Sequence, residues 1–223
     1  MSEAPVPAPI RVWDLPTRLV HWLFVLLVAV SWWTAETGRM EWHRWSGYGL
    51  LGLVAFRVYW GFLGASTARF REFVRGPGAI GAYLRGTWAA MPGHNPLGAL
   101  SVVALLVVLL AQIVLGLFAV DVDGIESGPL SLYVSFEAGR AAAGWHDRSF
   151  NVLLVLAGVH ILAVLYYAFV RKEKLIGAMV HGRRIFPGGD AKPLQPSTPA
   201  RFIVGVLMVA VLTWLVARAF QFS

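Results

Sequence analysis

The chain has 223 residues, of which 57% are hydrophobic and only 14% are charged, a composition typical of an integral membrane protein. It contains no cysteine, which excludes disulfides, cysteine-ligated iron–sulfur clusters and haem attached through thioether bonds. The formal net charge of +7 gathers in loops on one side of the predicted membrane. We therefore expect contact with membrane lipid and no nucleic-acid partner.

Five apolar segments of about 20 residues are each long enough to cross a bilayer core. The predicted spans cover residues 15–35, 42–63, 96–120, 143–170 and 202–219. Asp14 stands where a helix N-cap is expected. Residues 1–13 lack the pattern of a secretory signal, so we expect a cytoplasmic tail and an uncleaved first span. The predicted fold is therefore an all-α membrane protein.

The predicted organisation has four parts. Residues 1–13 form the tail, and residues 14–184 form a four-helix transmembrane bundle. Residues 185–201 form a cytoplasmic linker, and residues 202–220 form a fifth transmembrane helix.

Loop charges predict the orientation of the spans. The segment 65–95 carries four arginines against one glutamate, and the segment 171–192 carries six basic residues against two acidic ones. The segment 121–140 carries four acidic residues against Arg140 alone. Because basic loops remain in the cytoplasm, the first two segments and the N-terminus are expected inside, and the segment 121–140 outside.

Four histidines fall within the first, second and fourth predicted spans. His146 and His160 are fourteen residues apart, which places them about 21 Å apart along one helix and on nearly the same face. One helix can therefore offer one axial ligand to each of two haems. His21 shares the inner depth of His160, and His43 shares the outer depth of His146. Depth thus pairs His21 with His160 at an inner haem and His43 with His146 at an outer haem.

Histidines inside a membrane can also have other roles. Ionisable side chains inside a bilayer can also form a proton relay or polar contacts between helices. A zinc cluster is disfavoured, because the two pairs lie at opposite faces and two imidazoles do not complete a tetrahedral site. Two histidines at each of two depths favour bis-histidine ligation of iron.

Three arginines are candidates for the haem propionates. Arg57 lies near the inner depth, where it either pairs with a propionate or extends to the interface, and we favour the propionate. Arg44 and Arg148 adjoin the outer pair, although interfacial arginines have the same pattern. Glycines follow His43 and suit either a close porphyrin face or helix contact: Gly47, Gly49 and Gly52.

Two further candidates precede the third span. His94 and Asn95 lie in a loop-like stretch at its inner mouth. His94 is interpreted as solvated, or as part of a ligand site near the inner haem. Asn-Pro at 95–96 also marks a turn in its own right.

These motifs resemble the bacterial cytochrome b561 and Ni,Fe-hydrogenase-type di-haem cytochrome b family, which includes proteins described as cytochrome b/b6 domain proteins. The resemblance covers about residues 11–184 and is strongest around the two histidines of the fourth span. The matching stretches are RLVHW at 18–22, HRWSG at 43–47, RGP at 75–77, GHNPLG at 93–98, GWHD at 144–147 and GVH at 158–160.

The resemblance implies a four-helix core with two b haems in the bacterial inner membrane. It implies electron transfer between a periplasmic redox protein, such as a c-type cytochrome or a dehydrogenase subunit, and the membrane quinone pool. A quinone would bind beside the inner haem near Asn95, with His94 contributing. The family does not account for the fifth span, which could dock a partner or a second protomer in a homodimer.

Three functions follow as hypotheses. The leading one is an electron conduit between the periplasmic partner and quinone. The second is a superoxide:ubiquinone oxidoreductase, which would need a basic pocket near the outer haem; Arg44, Arg140 and Arg148 could form one, but the acidic loop opposes it. The third is a cytochrome b membrane anchor for a larger dehydrogenase or hydrogenase. Whether the chain is itself an enzyme stays open between them.

Overall fold

The computed structural model describes residues 8–89, 91–186 and 192–219, and the chain there is mostly helical. Parts of the predicted tail (1–7), linker (187–191) and fifth helix (220) lie outside the described residues. The elements in chain order are β1 (Ile10–Arg11), α1 (Leu15–Glu36), α2 (Met40–Leu63), α3 (Phe70–Phe73), α4 (Pro77–Leu84), α5 (Pro96–Phe118), α6 (Phe136–Phe169), α7 (Leu175–His181), β2 (Arg183–Arg184) and α8 (Pro199–Ala219).

Four of these helices, α1, α5, α6 and α8, are long and apolar enough to cross a membrane. The chain is thus a multi-pass membrane protein. The predicted second span corresponds to α2, which has 24 residues but is less apolar than the other four because it carries Glu41, Arg44 and Arg57. Its passage through the membrane stays a prediction.

Packing explains why α2 differs in composition. It lies against α1, α5 and α8, so much of its surface meets protein rather than lipid. Leu50, Leu51 and Val54 of α2 form the centre of the core with residues of α5 and α6. A helix enclosed by its neighbours needs less apolar surface than one exposed to lipid, because its polar groups can be satisfied internally.

Side-chain caps mark the starts of two helices. The predicted cap of α1 is confirmed, since the Asp14 carboxylate accepts from Thr17 N at 3.1 Å and also from Trp60 Nε1 at 2.8 Å. Helix α6 begins seven residues before the predicted fourth span, because Ser135 caps it through Ala138 N. Residues 136–142 are helical, but they are too polar to be identified as part of a membrane span from their hydropathy.

The end of the bundle where α1 begins is closed by extended chain. β1 pairs antiparallel with β2, with Ile10 opposite Arg184. Leu194 N donates to Arg11 O at 2.9 Å, and Ser66 N donates to Gln195 O at 3.0 Å. The described part of the linker is therefore bound to the segments that precede α1 and α3.

Helix α8 packs on α2 through glycines of both helices. A Cβ at Gly52 would lie 2.9 Å from Val209, and a Cβ at Gly205 would lie 2.7 Å from the Tyr59 ring. Small residues allow membrane helices to approach closely. The glycine at position 52 thus serves helix contact, as does Gly49, whose Cβ would meet Leu27 of α1 at 2.8 Å.

We expect Gly205→Leu to loosen this contact and lower stability by about 1–3 kcal/mol, because the added side chain overlaps the Tyr59 ring. Thermal unfolding in detergent should show a lower Tm. Val204→Leu, on an exposed neighbouring position, is the matched control. An equal Tm for Gly205→Leu and the control would contradict the packing of α8 on α2.

Candidate functional site

A cavity of about 340 Å³ lies between α1, α2, α5 and α6. His43 of α2 and His146 of α6 both line this cavity, which we call the His43–His146 cavity. Their ring centroids are 6.0 Å apart and their planes are nearly perpendicular, at 87°. Two imidazoles at this separation could both bind one metal ion held between them.

Both imidazoles are held through the same nitrogen. His43 Nδ1 donates to Ser31 O at 2.9 Å, and His146 Nδ1 donates to Gln112 O at 2.8 Å. Because a carbonyl only accepts, this network assigns the proton of each ring to Nδ1. Each Nε2 then carries a lone pair, which is the form of histidine that binds a metal.

Gln112 adds a second contact to His146. Its side-chain Nε2 lies 3.2 Å from His146 Nε2, and its Oε1 accepts from the Ser149 hydroxyl. Sequence reasoning missed Gln112 and Ser31. A signal for Gln112 was present, since it is the one amide in the apolar helix α5 and polar residues inside a membrane are costly without a partner.

Two glycines shape the walls of the cavity. Gly47, one turn after His43, lines the cavity, and a Cβ there would meet no atom within 4 Å. Gly116 of α5 also lines it, and a Cβ there would lie 2.8 Å from His146 Cε1. Gly47 therefore leaves room for a flat ligand, whereas Gly116 leaves room for the His146 ring itself.

These residues fit haem b between His43 and His146. The ligand lone pairs, their anchoring carbonyls and the open space at Gly47 are the features that a bis-histidine haem site requires. Within the described ranges no three His, Asp or Glu residues are grouped to hold a metal ion directly, so a protein-only metal cluster is not built there.

The outer arginines take different positions. Arg44 lines the cavity and forms an ion pair with Glu126 of the loop before α6. Arg148 is exposed, and its guanidinium lies 5.1 Å from the centre of the Trp145 ring. Arg44 is therefore positioned to reach a group in the cavity, whereas Arg148 is absent from its lining; their contacts with propionates stay predictions.

The inner pair of histidines lies at the other end of the bundle. His21 of α1 is within electrostatic reach of His160 of α6. His160 Nδ1 is 3.3 Å from the Ser101 hydroxyl. His21 Nδ1 is enclosed and has no hydrogen-bond partner among the residues that the structure describes. A buried imidazole nitrogen left without a partner is compatible with a ligand group at this pair.

Arg57 of α2 is buried close to this inner pair. Its guanidinium donates to Ala68 O at 3.2 Å and lies against the rings of Phe70 and Phe73. It is within electrostatic reach of Asp14. These contacts hold Arg57 inside the protein, and its pairing with a haem propionate stays a prediction.

His94 is partly buried rather than solvated. Its ring packs between Trp13 and Phe73, with centroids 4.7 Å from each, and its Nδ1 is enclosed. Burial, followed by the positive charge of Arg57, lowers the pKa of His94 to about 3. Above that pH the imidazole is neutral, so His94 carries no positive charge near neutrality.

Asn95 caps α5 and joins a polar cluster. Its Oδ1 accepts from Gly98 N at 2.7 Å, and its Nδ2 donates to the hydroxyls of Tyr83 and Tyr167 at 3.2 and 3.1 Å. The two hydroxyls also hydrogen-bond to each other. Burial and this bond raise the pKa of Tyr83. Sequence reasoning identified Asn95 and missed both tyrosines, which lie on α4 and α6.

Comparison with known proteins identifies the family. A sequence model of the family described as prokaryotic cytochrome b561 matches residues 12–182. The chain is 24% identical to the probable Ni/Fe-hydrogenase B-type cytochrome subunit of Azotobacter chroococcum mcd 1. It is 26% identical to the protein of the same description from Azotobacter vinelandii. Each alignment of 216 residues covers 79% of this chain and 89% of the relative.

The family match spans most of the chain and includes all four candidate histidine ligands. It confirms the resemblance predicted from the histidine motifs, and a b-type cytochrome of this kind carries haem b. The chain therefore belongs to the prokaryotic cytochrome b561 family, whose members serve transmembrane electron transfer as b-type cytochromes.

Proposed function

We propose that the chain conducts electrons across the bacterial inner membrane between a periplasmic redox protein, such as a c-type cytochrome, and the quinone pool. Two bis-histidine haems b would be held by His43 with His146 and by His21 with His160. The observation that carries this proposal is the facing pair His43 and His146, whose rings are 6.0 Å apart across a cavity.

Bound haem supplies one-electron redox chemistry, which the amino acids lack. The protein residues provide ligands, orientation and an apolar surrounding. Ser31 and Gln112 fix the two imidazoles through their carbonyls, which accept from Nδ1 and leave Nε2 as the nitrogen that would bind iron. Arg44 provides a positive charge in the cavity lining, where propionates would need one.

We also propose five membrane passages, with the N-terminus in the cytoplasm. A reporter fused after Ser223 should then be periplasmic, and a reporter inserted beside Gly124 should be periplasmic as well. A cytoplasmic signal beside Gly124 would mean either that α2 does not cross or that the whole orientation is reversed. A periplasmic signal there with a cytoplasmic one at Ser223 would mean that α8 does not cross.

The inner end of the bundle is proposed to bind quinone around Asn95, with His94 and Arg57 nearby. Asn95 Nδ2 and the hydroxyls of Tyr83 and Tyr167 are polar groups at the mouth of α5, close to the inner pair. His94 and the hydroxyls of Tyr83 and Tyr167 are neutral groups that could form hydrogen bonds in this region.

The test is re-oxidation of pre-reduced haem by added quinone. We expect Asn95→Asp to lower this rate about tenfold, because Asp keeps the cap to Gly98 but loses the Nδ2 donor. Asn95→Ala, His94→Ala and Arg57→Ala should also slow the reaction. Asn151→Ala, on exposed α6 surface, is the matched control.

Two results would count against this proposal. If these variants keep both haems and the wild-type rate, quinone binds elsewhere. If the wild-type protein exchanges electrons with no quinone, the conduit itself is wrong.

A second function is favoured by the described relatives. Both are described as probable Ni/Fe-hydrogenase B-type cytochrome subunits, so this chain could serve as the cytochrome b anchor of a larger dehydrogenase or hydrogenase. Stable co-purification of a catalytic partner would support the anchor. The superoxide hypothesis lacks such support, since Arg44 is paired with Glu126, Arg140 donates to Val120 O and Arg148 lies outside the cavity lining.

A further inference from the structure

The loop before α6 exposes apolar side chains at the end of the bundle that holds His43 and His146. Val122 is 71% exposed and Ile125 is 80% exposed, and Leu132 and Tyr133 are exposed to similar extents. We call these four residues the loop patch. Exposed apolar side chains with a polar border are typical of a surface that binds a partner rather than of one that contacts only solvent.

The border of the loop patch is acidic. Asp123 and Glu137 are exposed, and Asp121 and Glu126 lie in the same loop. Arg140, the nearest base in sequence, points back to donate to Val120 O at 3.0 Å. The loop therefore presents exposed apolar side chains together with a net negative charge.

The loop is held by the bundle. Val120 and Ser127 form an antiparallel bridge. Gly128 N donates to Ala119 O and Leu130 N donates to Leu117 O, both at 2.8 Å, which binds the loop to the end of α5. A surface ordered before contact loses less conformational entropy when a partner binds.

The same loop forms a wall of the His43–His146 cavity. Glu126 lines the cavity and pairs with Arg44, and residues 127–129 line it as well. A protein seated on the loop patch would therefore stand directly beside the proposed outer haem. This proximity is what an electron-transfer partner requires.

We propose that the loop patch docks a soluble redox protein through a lysine-rich face with an apolar centre. The inference rests on the proposed conduit function and adds the docking surface and the charge of the partner. Insertion of the patch into lipid is the competing explanation. Carboxylates are costly to bring into hydrocarbon and are complementary to a basic protein face, so the charges favour a basic protein over lipid. Electrostatic docking of this kind raises association rates at low salt.

The test uses the full-length, haem-loaded chain in discs of neutral lipid. The probes are a lysine-rich soluble cytochrome c and the same protein with its lysines succinylated, so that only charge differs. Stopped-flow spectroscopy measures the second-order rate of electron exchange, and a parallel assay measures binding of each probe to the disc. We expect the lysine-rich form to react at least about tenfold faster at low ionic strength, with the advantage shrinking near 0.15 M salt.

Variants then locate the surface. Asp123→Lys combined with Glu137→Lys should lower the rate with the lysine-rich probe about tenfold, and Ile125→Ser should lower it at both salt concentrations. Glu72→Lys reverses an exposed acid at the opposite end of the bundle and should leave the rate unchanged. Haem content should be the same in all variants, since none of these residues lines the cavity.

Three outcomes overturn the docking proposal. These are equal rates for the two probe forms, no effect of the charge reversals, or burial of the loop patch in lipid. The last is measured with a fluorophore on Ile125→Cys, which is unique because the chain has no cysteine, and quenchers attached to lipid. A chain that binds the lysine-rich probe through the patch but carries no reducible haem would instead contradict the proposed conduit and leave the docking surface supported.

Discussion

His146→Ala should reduce the haem content of the purified chain from two per chain to one, and His43→Ala should give the same result. Each substitution removes one ligand from the pair whose rings face each other at 6.0 Å. It also leaves the other imidazole buried without its partner, which costs about 1–3 kcal/mol and should lower the yield. The pyridine haemochrome assay gives the haem content, and the visible spectrum shows whether the remaining haem is low-spin.

The opposite pair provides the complementary measurement. His21→Ala or His160→Ala should remove the other haem, and the double variant His146→Ala with His160→Ala should bind none. His181→Ala changes an exposed histidine outside the helices that line the cavity and should retain both haems. Two haems in His160→Ala would show that the inner ligand lies elsewhere.

The helices could be predicted because membrane spans carry a strong local signal. Residues 15–35 and 96–120 were predicted to within two residues, since Asp14 and Asn95 mark the starts of α1 and α5 through their side-chain caps. The start of α6 could not be found from hydropathy, because its first turns extend as a polar helix. The weak apolarity of α2 likewise reflects its position among other helices, which only the tertiary structure reveals.

Some features of the candidate site could likewise be predicted from the sequence, and others could not. Depth along two spans was enough to pair His43 with His146, and the structure brings these rings together, although their binding of haem stays a prediction. The backbone carbonyls of Ser31 and Gln112 accept hydrogen bonds from the rings of His43 and His146. Gly116 leaves room for the His146 ring because it has no side chain. A backbone carbonyl has no signature in the residue type, so contacts of this kind become visible only when neighbouring helices are placed side by side.

Gly116→Val should remove or weaken the outer haem while leaving the inner one in place. A Cβ at position 116 would lie 2.8 Å from His146 Cε1 and 3.1 Å from its Nδ1. The ring cannot simply withdraw, because its Nδ1 is bonded to Gln112 O on the same helix, α5, at 2.8 Å. Valine would therefore force His146 to break this hydrogen bond or to turn its ring within the cavity.

The expected result for Gly116→Val is one low-spin haem per chain, with the other lost or converted to a high-spin form. Pyridine haemochrome assay and low-temperature electron paramagnetic resonance distinguish these cases. Val107→Leu adds volume to an exposed face of the same helix and should retain two low-spin haems. If Gly116→Val also retains two low-spin haems, His146 cannot occupy this place against α5 in the loaded protein. The substitution changes no proposed ligand and no charge. A loss of the outer haem alone would therefore result from the loss of the space that Gly116 leaves for the imidazole.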